Sequence, residues 1–145
     1  MKVRNILATK KGHLITIDAE QPVRKAIAML VDNRIGALLV MDSTGKLAGI
    51  LSERDIMRTA ATDEALFDRP VTDIMTREVV VGMPQDDVIA VAHTMLEKRF
   101  RHLPIMDEGQ LIGIISIGDV LKIQRDAYRG EVDTLETRII AKGEE

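Results

Sequence analysis

An internal repeat is the feature of this sequence that most constrains its fold. The segment VRNIL at residues 3–7 returns as VTDIM at 71–75, and GILSERD at 49–55 returns as GIISIGD at 113–119. Repetition at a nearly constant separation indicates that one structural unit has been duplicated. We therefore expect the chain of 145 residues to fold as two copies of one unit.

Each copy contains the pattern of an amphipathic helix. Apolar residues recur with the three- and four-residue spacing of one helical stripe, and the second copy repeats the stripe 65 positions later. The two stripes are Val23, Ala26, Ile27, Leu30 and Val31, and Val88, Val91, Ala92, Met95 and Leu96. Acidic residues or prolines precede both helices, where helix starts tolerate them. We expect both stripes to be buried.

A β-hairpin is predicted after each helix, because two short apolar runs flank a turn that contains glycine. The runs are residues 37–42, 47–51, 102–107 and 111–115. The turn is one residue shorter in the second copy, and another helix follows each hairpin. Each unit is therefore predicted to be β-α-β-β-α, which places the fold in the mixed α/β or α+β class.

The predicted organisation has four parts: a first repeat at 1–60, a linker at 61–70, a second repeat at 71–125 and a tail at 126–145. A unit of about 60 residues buries only a modest share of its surface by itself. We expect the two units to pack sheet against sheet, with pseudo-two-fold symmetry and a common core. Such packing leaves clefts where equivalent loops meet.

The tail differs from the repeats. Val132, Leu135 and Ile139 lie on one face of a predicted amphipathic helix, and Gly130 marks a break before it. This helix is expected either to cover its own chain or to contact a second subunit.

Composition excludes several classes of function. Apolar residues make up 46% and charged residues 30%, as in ordinary globular proteins. The net charge of −3 gives no overall attraction to nucleic acid or anionic membranes, and 2% aromatic content offers little surface for stacking bases. Cysteine is absent, and no apolar run has the length of a signal peptide or a membrane span. We expect a soluble cytoplasmic protein with no nucleic-acid or membrane partner.

The repeated Ser-x-x-Asp motif has two interpretations. As a capping box, Ser52 and Ser116 would accept hydrogen bonds from helix amides, while Asp55 and Asp119 accept from the amides of the two serines. As a ligand site, each carboxylate offers two acceptor oxygens that match the vicinal diol of ribose. The serine hydroxyls and helix amides would then serve ribose or phosphate.

Glycine precedes both motifs inside a predicted strand. Gly49 and Gly113 each lie three residues before the serine. Glycine weakens a strand and often marks the close approach of a ligand or another backbone segment. Because capping and ligand binding need the same geometry, both interpretations stay open.

Candidate phosphate ligands cluster in the second copy, where residues 97–104 read EKRFRHLP. Lys98 and Arg99 are expected to complement the dipole at a helix end. Arg101 and His102 fall at the entrance of a strand near the Ser-x-x-Asp clefts, and arginine suits bidentate contact with phosphate while histidine also donates. We therefore predict a phosphate clamp at Arg101 and His102.

The two clefts are expected to be unequal. The first copy has Gly36 and Ala37 at the positions of Arg101 and His102, so at most one cleft receives the clamp. Arg54 in GILSERD is the candidate phosphate ligand of the first loop.

Catalysis is not predicted. His13 falls in a polar linker and His93 inside a helix, and no grouping of histidine with acids has the spacing of metal ligands. No nucleophile–base order, phosphate loop or dinucleotide glycine fingerprint is present. We expect neither an enzyme nor a metal site.

Taken in order, these motifs resemble a tandem pair of CBS domains, or Bateman module, over about residues 1–125. The marks are VRNIL and VTDIM, IGALLVMD and RHLPIMDEG, and GILSERD and GIISIGD. The chain is similar to stand-alone bacterial and archaeal CBS-pair proteins. Each mark alone is weak, whereas the set repeated in order is specific.

The resemblance implies a regulatory module that binds AMP, ADP, ATP, NAD(H) or S-adenosylmethionine and senses energy or metabolite levels, as a homodimer that acts on a protein partner. It implies that Asp55 and Asp119 hold ribose, that Ser52 and Ser116 hold ribose or phosphate, and that Arg101 and His102 hold phosphates. The base would lie near Thr16, Ile17, Ala37, Val80, Val81 and Pro104. A ligand-free structural or dimerisation module remains the alternative.

Overall fold

The computed structural model describes residues 1–10 and 14–128. The first repeat consists of α1 (Val3–Thr9), β1 (Thr16–Asp18), α2 (Val23–Asn33), β2 (Ala37–Met41), β3 (Leu47–Ser52) and α3 (Glu53–Ala60). Two 3-10 turns, Leu66–Asp68 and Val71–Asp73, lead to α4 (Val88–Lys98), β4 (His102–Asp107), β5 (Gln110–Ser116) and α5 (Ile117–Ala127). His13 and the predicted tail helix with Val132, Leu135 and Ile139 lie outside the described residues.

The two repeats form an α+β fold with two sheets, as predicted. The first sheet has the order β1-β2-β3, in which β1 is parallel to β2 and β2 is antiparallel to β3. The second sheet is the antiparallel pair β4-β5. Gly45 and Gly109 adopt positive φ angles of 82° and 78° in the two hairpin turns, a conformation that glycine adopts without steric cost. Both predicted hairpins are confirmed.

The second repeat departs from the predicted β-α-β-β-α order at its first strand. That strand is reduced to a single bridge, in which Gly82 pairs with Ile105. The Gly82 amide donates to the carbonyl of Pro104 at 2.9 Å, and the Met106 amide donates to the carbonyl of Gly82 at 2.8 Å. Pro104 stands where the first repeat has Leu39 and has no amide hydrogen, so the parallel ladder cannot extend further back.

The predicted helical stripes are buried only in part. Val31 and Leu96 are 69% and 71% exposed, so their predicted burial is wrong. At about 100° per residue, the last position of each stripe is rotated roughly 80° from the first, away from the sheet. The buried members are Val23, Ala26, Leu30, Val88, Val91 and Met95, and Ile27 and Ala92 are half-buried.

Two apolar cores are present instead of one common core. The first comprises Ile17, Ala19, Ala26, Leu30, Leu38, Val40, Leu51, Val71 and Met75. The second comprises Val3, Ile6, Val88, Val91, Met95, Leu103, Ile105, Ile115 and Val120. The prediction of a single core is wrong, because the buried side chains fall into two separate clusters, one on each sheet.

The opening segments of the two repeats are exchanged. Val3 and Ile6 of α1 belong to the core of the second repeat, whereas Val71 and Met75 belong to the core of the first. Backbone hydrogen bonds fix both segments, for example from the Val71 amide to the carbonyl of Gln21 at 2.8 Å. The exchange brings the end of each opening segment beside the Ser-x-x-Asp loop of the other repeat.

None of the helices in the described ranges is long and apolar enough to cross a membrane.

Candidate functional site

Both Ser-x-x-Asp loops form capping boxes. The Ser52 amide donates to Asp55 Oδ2 at 2.9 Å, and the Asp55 amide donates to Ser52 Oγ at 3.3 Å. In the second repeat, the Ser116 amide donates to Asp119 Oδ2 at 2.8 Å, and the Asp119 amide donates to Ser116 Oγ at 3.1 Å. The capping prediction is confirmed for both loops, and the loops start α3 and α5.

The glycines before these loops admit the exchanged opening segments. A Cβ atom on Gly49 would lie 2.6 Å from the carbonyl oxygen of Thr76 and 2.8 Å from Met75 Sδ. On Gly113 it would lie 2.7 Å from Leu7 Cδ2. The predicted close approach is therefore real, and the approaching group is another part of the chain.

Asp55 is nearly enclosed by donors and is 3% exposed. Its Oδ2 accepts from both the amide and the hydroxyl of Ser52. Its Oδ1 accepts from Arg58 at 3.2 Å and from the hydroxyl of Thr76 at 3.1 Å. Because Thr76 belongs to the second repeat, this carboxylate joins the two repeats at the head of α3.

Asp119 has a different partner. Its Oδ2 accepts from the ammonium group of Lys10 at 2.9 Å, and the same ammonium donates to the carbonyl of Ile114 at 2.7 Å. Partial burial favours the neutral acid, but the hydrogen bond from the Ser116 amide and the charge of Lys10 outweigh it and lower the pKa of Asp119 below its ordinary value. The carboxylate is therefore ionised at neutral pH.

A cleft of about 890 Å³ lies between the two repeats beside Asp55. Its walls come from the α3 start, from the residues after the second opening segment, and from the α4–β4 junction. It is lined by Gly36, Ile50, Ser52, Glu53, Arg54, Asp55, Met57, Arg58, Thr76, Glu78, Val79, Val80, Lys98, Arg99, Phe100, Arg101 and His102. We call this the first cleft, and the region around Asp119 the second cleft.

The first cleft combines the predicted residues of both copies. Arg101 and His102 line it together with Arg54 and Asp55, although they belong to the copy that carries GIISIGD. The expectation that Arg54 serves a cleft without the clamp is therefore wrong, because the loop of one repeat faces the strand entrance of the other. Val80 lines the same cleft.

Basic side chains outnumber carboxylates in this cleft. Arg54, Arg58, Lys98, Arg99 and Arg101 face a space that also contains Glu53, Asp55 and Glu78, a surplus of two positive charges. The whole chain carries −3. The excess of positive charge is therefore local and suits an anionic ligand.

His102 is half-buried at the edge of the first cleft. A Cβ atom on Gly36 would lie 2.7 Å from Glu53 Oε1 and 3.4 Å from His102 Cε1, so both side chains lie close to the glycine. Burial lowers the pKa of His102; Lys10 and Arg101 act in the same direction, and Glu53 and Asp119 oppose them. The imidazole is therefore neutral at pH 7 and offers one donor and one acceptor.

Several residues that line the first cleft were not predicted from the sequence as ligand contacts. Arg58 is three residues after Asp55, a helical spacing from which their contact could have been predicted. Lys98 and Arg99 were assigned to the helix dipole but line the first cleft. Thr76 had no sequence signal, because only the exchange of opening segments brings it to Asp55.

The remaining predicted base contacts lie outside the set that lines the first cleft. Ile17 is 4% exposed within the first core, and Ala37 is 6% exposed. Pro104 is buried, Thr16 is half-buried and Val81 is exposed. Their roles, like those of Ser116 and Asp119, stay predictions.

Comparison with known proteins identifies the family. The sequence profile of the CBS domain matches residues 3–62 and 71–126. The chain therefore belongs to the CBS-domain family and contains two CBS domains. A solved CBS-domain protein from Burkholderia ambifaria is 34% identical, with a TM-score of 0.84 and coverage of 94% of this chain and 100% of that chain.

Two further relatives bear on function and length. The structure of CBSX2 in complex with AMP is 26% identical, with a TM-score of 0.76 and coverage of 88% of this chain and 98% of that chain. An uncharacterized protein of Methanocaldococcus jannaschii is 31% identical over 121 residues, which are 83% of this chain and 42% of that protein. The chain thus spans less than half the length of this relative.

Proposed function

We propose that this CBS pair is a regulatory module that binds an adenosine nucleotide, AMP, ADP, ATP or NAD(H), in the first cleft. The observation that carries the proposal is the meeting of a Ser-x-x-Asp loop with five basic side chains contributed by both repeats. Asp55 would accept from the ribose diol, and Ser52 from ribose or phosphate. Arg54, Arg101 and neutral His102 would donate to the phosphates.

The charge of the cleft favours phosphorylated ligands over other adenosine compounds. S-adenosylmethionine carries a sulfonium cation and no phosphate, so the surplus positive charge would repel its reactive centre. AMP and its higher phosphates bring negative charge to the same position. The base would lie against the aliphatic wall formed by Ile50, Val79 and Val80, because the first cleft is lined by one phenylalanine and by no tyrosine or tryptophan.

The solved complex of CBSX2 with AMP supports a ligand of this class, since that protein shares the fold and 26% of aligned residues. No group of three or more metal-ligating side chains occurs among residues 1–10 and 14–128. We propose ligand-dependent regulation, with no reaction catalysed by this chain.

Ligand binding at Asp55 would change the contact between the two repeats. Its Oδ1 holds Thr76 of the second repeat at 3.1 Å, and a ribose hydroxyl would compete for that oxygen. A regulatory shift follows only if the nucleotide binds two arrangements of the repeats with different affinity. The competition between ribose and Thr76 provides such a difference, which a protein partner would detect.

A melting-temperature panel with AMP, ADP, ATP, NAD, NADH, adenosine and S-adenosylmethionine tests the proposal. A ligand at 100 times its Kd stabilises the native state by about 2.7 kcal/mol, which is several degrees for a domain of this size. We expect stabilisation by AMP to exceed that by S-adenosylmethionine, and Asp55→Asn to abolish it. Arg125→Gln, an exposed change on α5, is the matched control. No shift with any nucleotide would contradict the proposal.

A second candidate function is a structural or dimerisation module without a ligand. The supporting observation is that both oxygens of Asp55 already accept hydrogen bonds from Ser52, Arg58 and Thr76. In that case the motif acts only as a cap and a link between repeats. An unchanged melting temperature across the whole panel would favour this function.

We also propose that the chain forms a homodimer. Exposed apolar residues occur at equivalent positions of the two repeats, namely Val31 with Leu96 and Met57 with Leu121. A second copy would remove these side chains from water, each worth about 1.5 to 3 kcal/mol when fully buried. Sedimentation of the wild type against Val31→Glu with Leu96→Glu tests this. A monomeric wild type would contradict it.

The cytoplasmic location stays a prediction.

A further inference from the structure

Lys10 links the end of α1 to the second cleft. Its ammonium donates to Asp119 Oδ2 at 2.9 Å and to the carbonyl of Ile114 at 2.7 Å. The side chain of Lys10 is 36% exposed and that of Asp119 is 23% exposed. Two short hydrogen bonds therefore hold one cation against the carboxylate that corresponds to Asp55 in the first cleft.

The contact leaves Asp119 with one oxygen for a ligand. Oδ2 accepts from both the Ser116 amide and Lys10, which uses both of its lone-pair positions. A vicinal diol needs both carboxylate oxygens to bind in the two-pronged manner expected of ribose. A nucleotide can reach this arrangement only after the ammonium has left Asp119.

In the first cleft both oxygens of Asp55 also accept hydrogen bonds, but the donors are Ser52, Thr76 and one arginine in place of a fixed ammonium. The position that corresponds to Lys10 after the second opening segment is Glu78, whose charge cannot pair with Asp55. The cation on Asp55 is Arg58, which is 66% exposed and held by a single bond of 3.2 Å, so rotation of one side chain removes it. Lys10 is instead fixed by two partners, and α1 is anchored in the second core by Val3 and Ile6.

We infer that Lys10 keeps the second ribose site closed, so that each chain binds one adenosine nucleotide, in the first cleft. This inference rests on the proposed function, because it assigns ribose binding to the Ser-x-x-Asp loops. It makes Lys10 the residue that sets the number of ligands. The same contact ties occupancy of the second cleft to the position of the N-terminal helix.

Calorimetric titration with AMP tests the inference through stoichiometry. We expect the wild type to bind one AMP per chain and Lys10→Met to bind two, because methionine fills similar space without a charge. Lys25→Met, an exposed change on α2, is the control and should bind one. Combining Lys10→Met with Asp119→Asn should restore a stoichiometry of one. Far-UV circular dichroism checks folding, and Lys10→Ala replaces Lys10→Met if that variant does not fold.

The possible stoichiometries distinguish the role of Lys10 from nucleotide binding in the first cleft. Two AMP molecules on the wild type, or one on Lys10→Met, would overturn the role of Lys10 while leaving nucleotide binding intact. No AMP on the wild type but one on Lys10→Met would overturn the first-cleft assignment and support the role of Lys10. No binding to any variant would overturn both.

Discussion

The two Ser-x-x-Asp loops have the same backbone geometry and different surroundings. Ser52 and Ser116 cap their helices with φ angles of −110° and −111° and ψ angles of 163° in both. Asp55 nevertheless accepts from Thr76 and Arg58, whereas Asp119 accepts from Lys10. Duplication has kept the cap, and the residues around it have diverged.

The difference comes from the exchanged opening segments. Each Ser-x-x-Asp loop receives a residue from the opening segment that packs on its own sheet, Thr76 in one case and Lys10 in the other. From this segment Asp55 receives a neutral hydroxyl, and its cation is Arg58 of its own helix, whereas Asp119 receives an ammonium from the segment itself. Ligand chemistry in a duplicated fold is therefore set by the partner that each carboxylate receives, more than by the shared motif.

The largest predicted difference between the loops is in stability. Asp55→Ala should lower the free energy of unfolding by about 3 kcal/mol, because it removes a cap, leaves the partly buried donors of Ser52 without an acceptor and breaks the hydrogen bond from Thr76 in the second repeat. Asp119→Ala should cost about 1.5 kcal/mol, since its side chain is 23% exposed and water can replace it. Urea unfolding of both variants measures the difference.

Equal losses for Asp55→Ala and Asp119→Ala would show that burial and Thr76 add nothing to the cap. Thr76→Val gives a sharper control, since it removes only the hydroxyl that reaches Asp55 and keeps the side-chain volume.

The next prediction compares the two glycines. Gly49→Ala should destabilise by about 2 to 3 kcal/mol, because the new Cβ would lie 2.6 Å from the backbone oxygen of Thr76. Gly113→Ala should cost about 1 kcal/mol, because its neighbour is the end of the flexible Leu7 side chain. Denaturant midpoints of the two variants decide the order, and a more damaging Gly113→Ala would contradict the description of the exchanged segments.

The smallest predicted effect is the pH dependence of stability due to His102, whose counterpart in the first repeat is Ala37. Because burial lowers the pKa of folded His102 below the ordinary 6.5, the unfolded chain takes up this proton first. The contribution of His102 to stability is therefore complete above about pH 6.5 and is lost as pH falls. Between about pH 7.5 and 5.5 the wild type should lose more stability than His102→Gln.

His93→Gln is the control for this prediction, since His93 is an exposed helical histidine beside Glu97. It should not remove the pH dependence that is attributed to His102. Identical pH profiles for the wild type and His102→Gln would contradict the assignment.

The repeat units, hairpins and caps could be predicted because each follows from local periodicity and turn chemistry. Val31 and Leu96 were predicted to be buried because apolar spacing defines a stripe but does not show how far the sheet covers it. The missing strand at Gly82 depends on one absent amide hydrogen in Pro104, which alternation of apolar residues does not reveal.

The residues of the candidate site could be predicted from the sequence, but their assembly in a single cleft could not. Arg54, Asp55, Arg101 and His102 were identified from charge, spacing and the family resemblance. Their assembly in one cleft follows from the packing of two repeats, which no local pattern encodes. Lys10 was not identified, because only the exchange of α1 onto the second repeat brings it to the Ser-x-x-Asp loop there.

The central claim is that the first cleft is a phosphate-binding adenosine site built by both repeats. The most direct measurement is the affinity of AMP relative to adenosine for the wild type, Arg101→Gln and the control Arg125→Gln. Loss of one charged hydrogen bond of about 1.5 kcal/mol corresponds to roughly tenfold in affinity. We predict that AMP binds the wild type and Arg125→Gln at least about tenfold tighter than adenosine, and that Arg101→Gln loses most of this preference. Equal affinities for AMP and adenosine, or an unchanged ratio in Arg101→Gln, would contradict the claim.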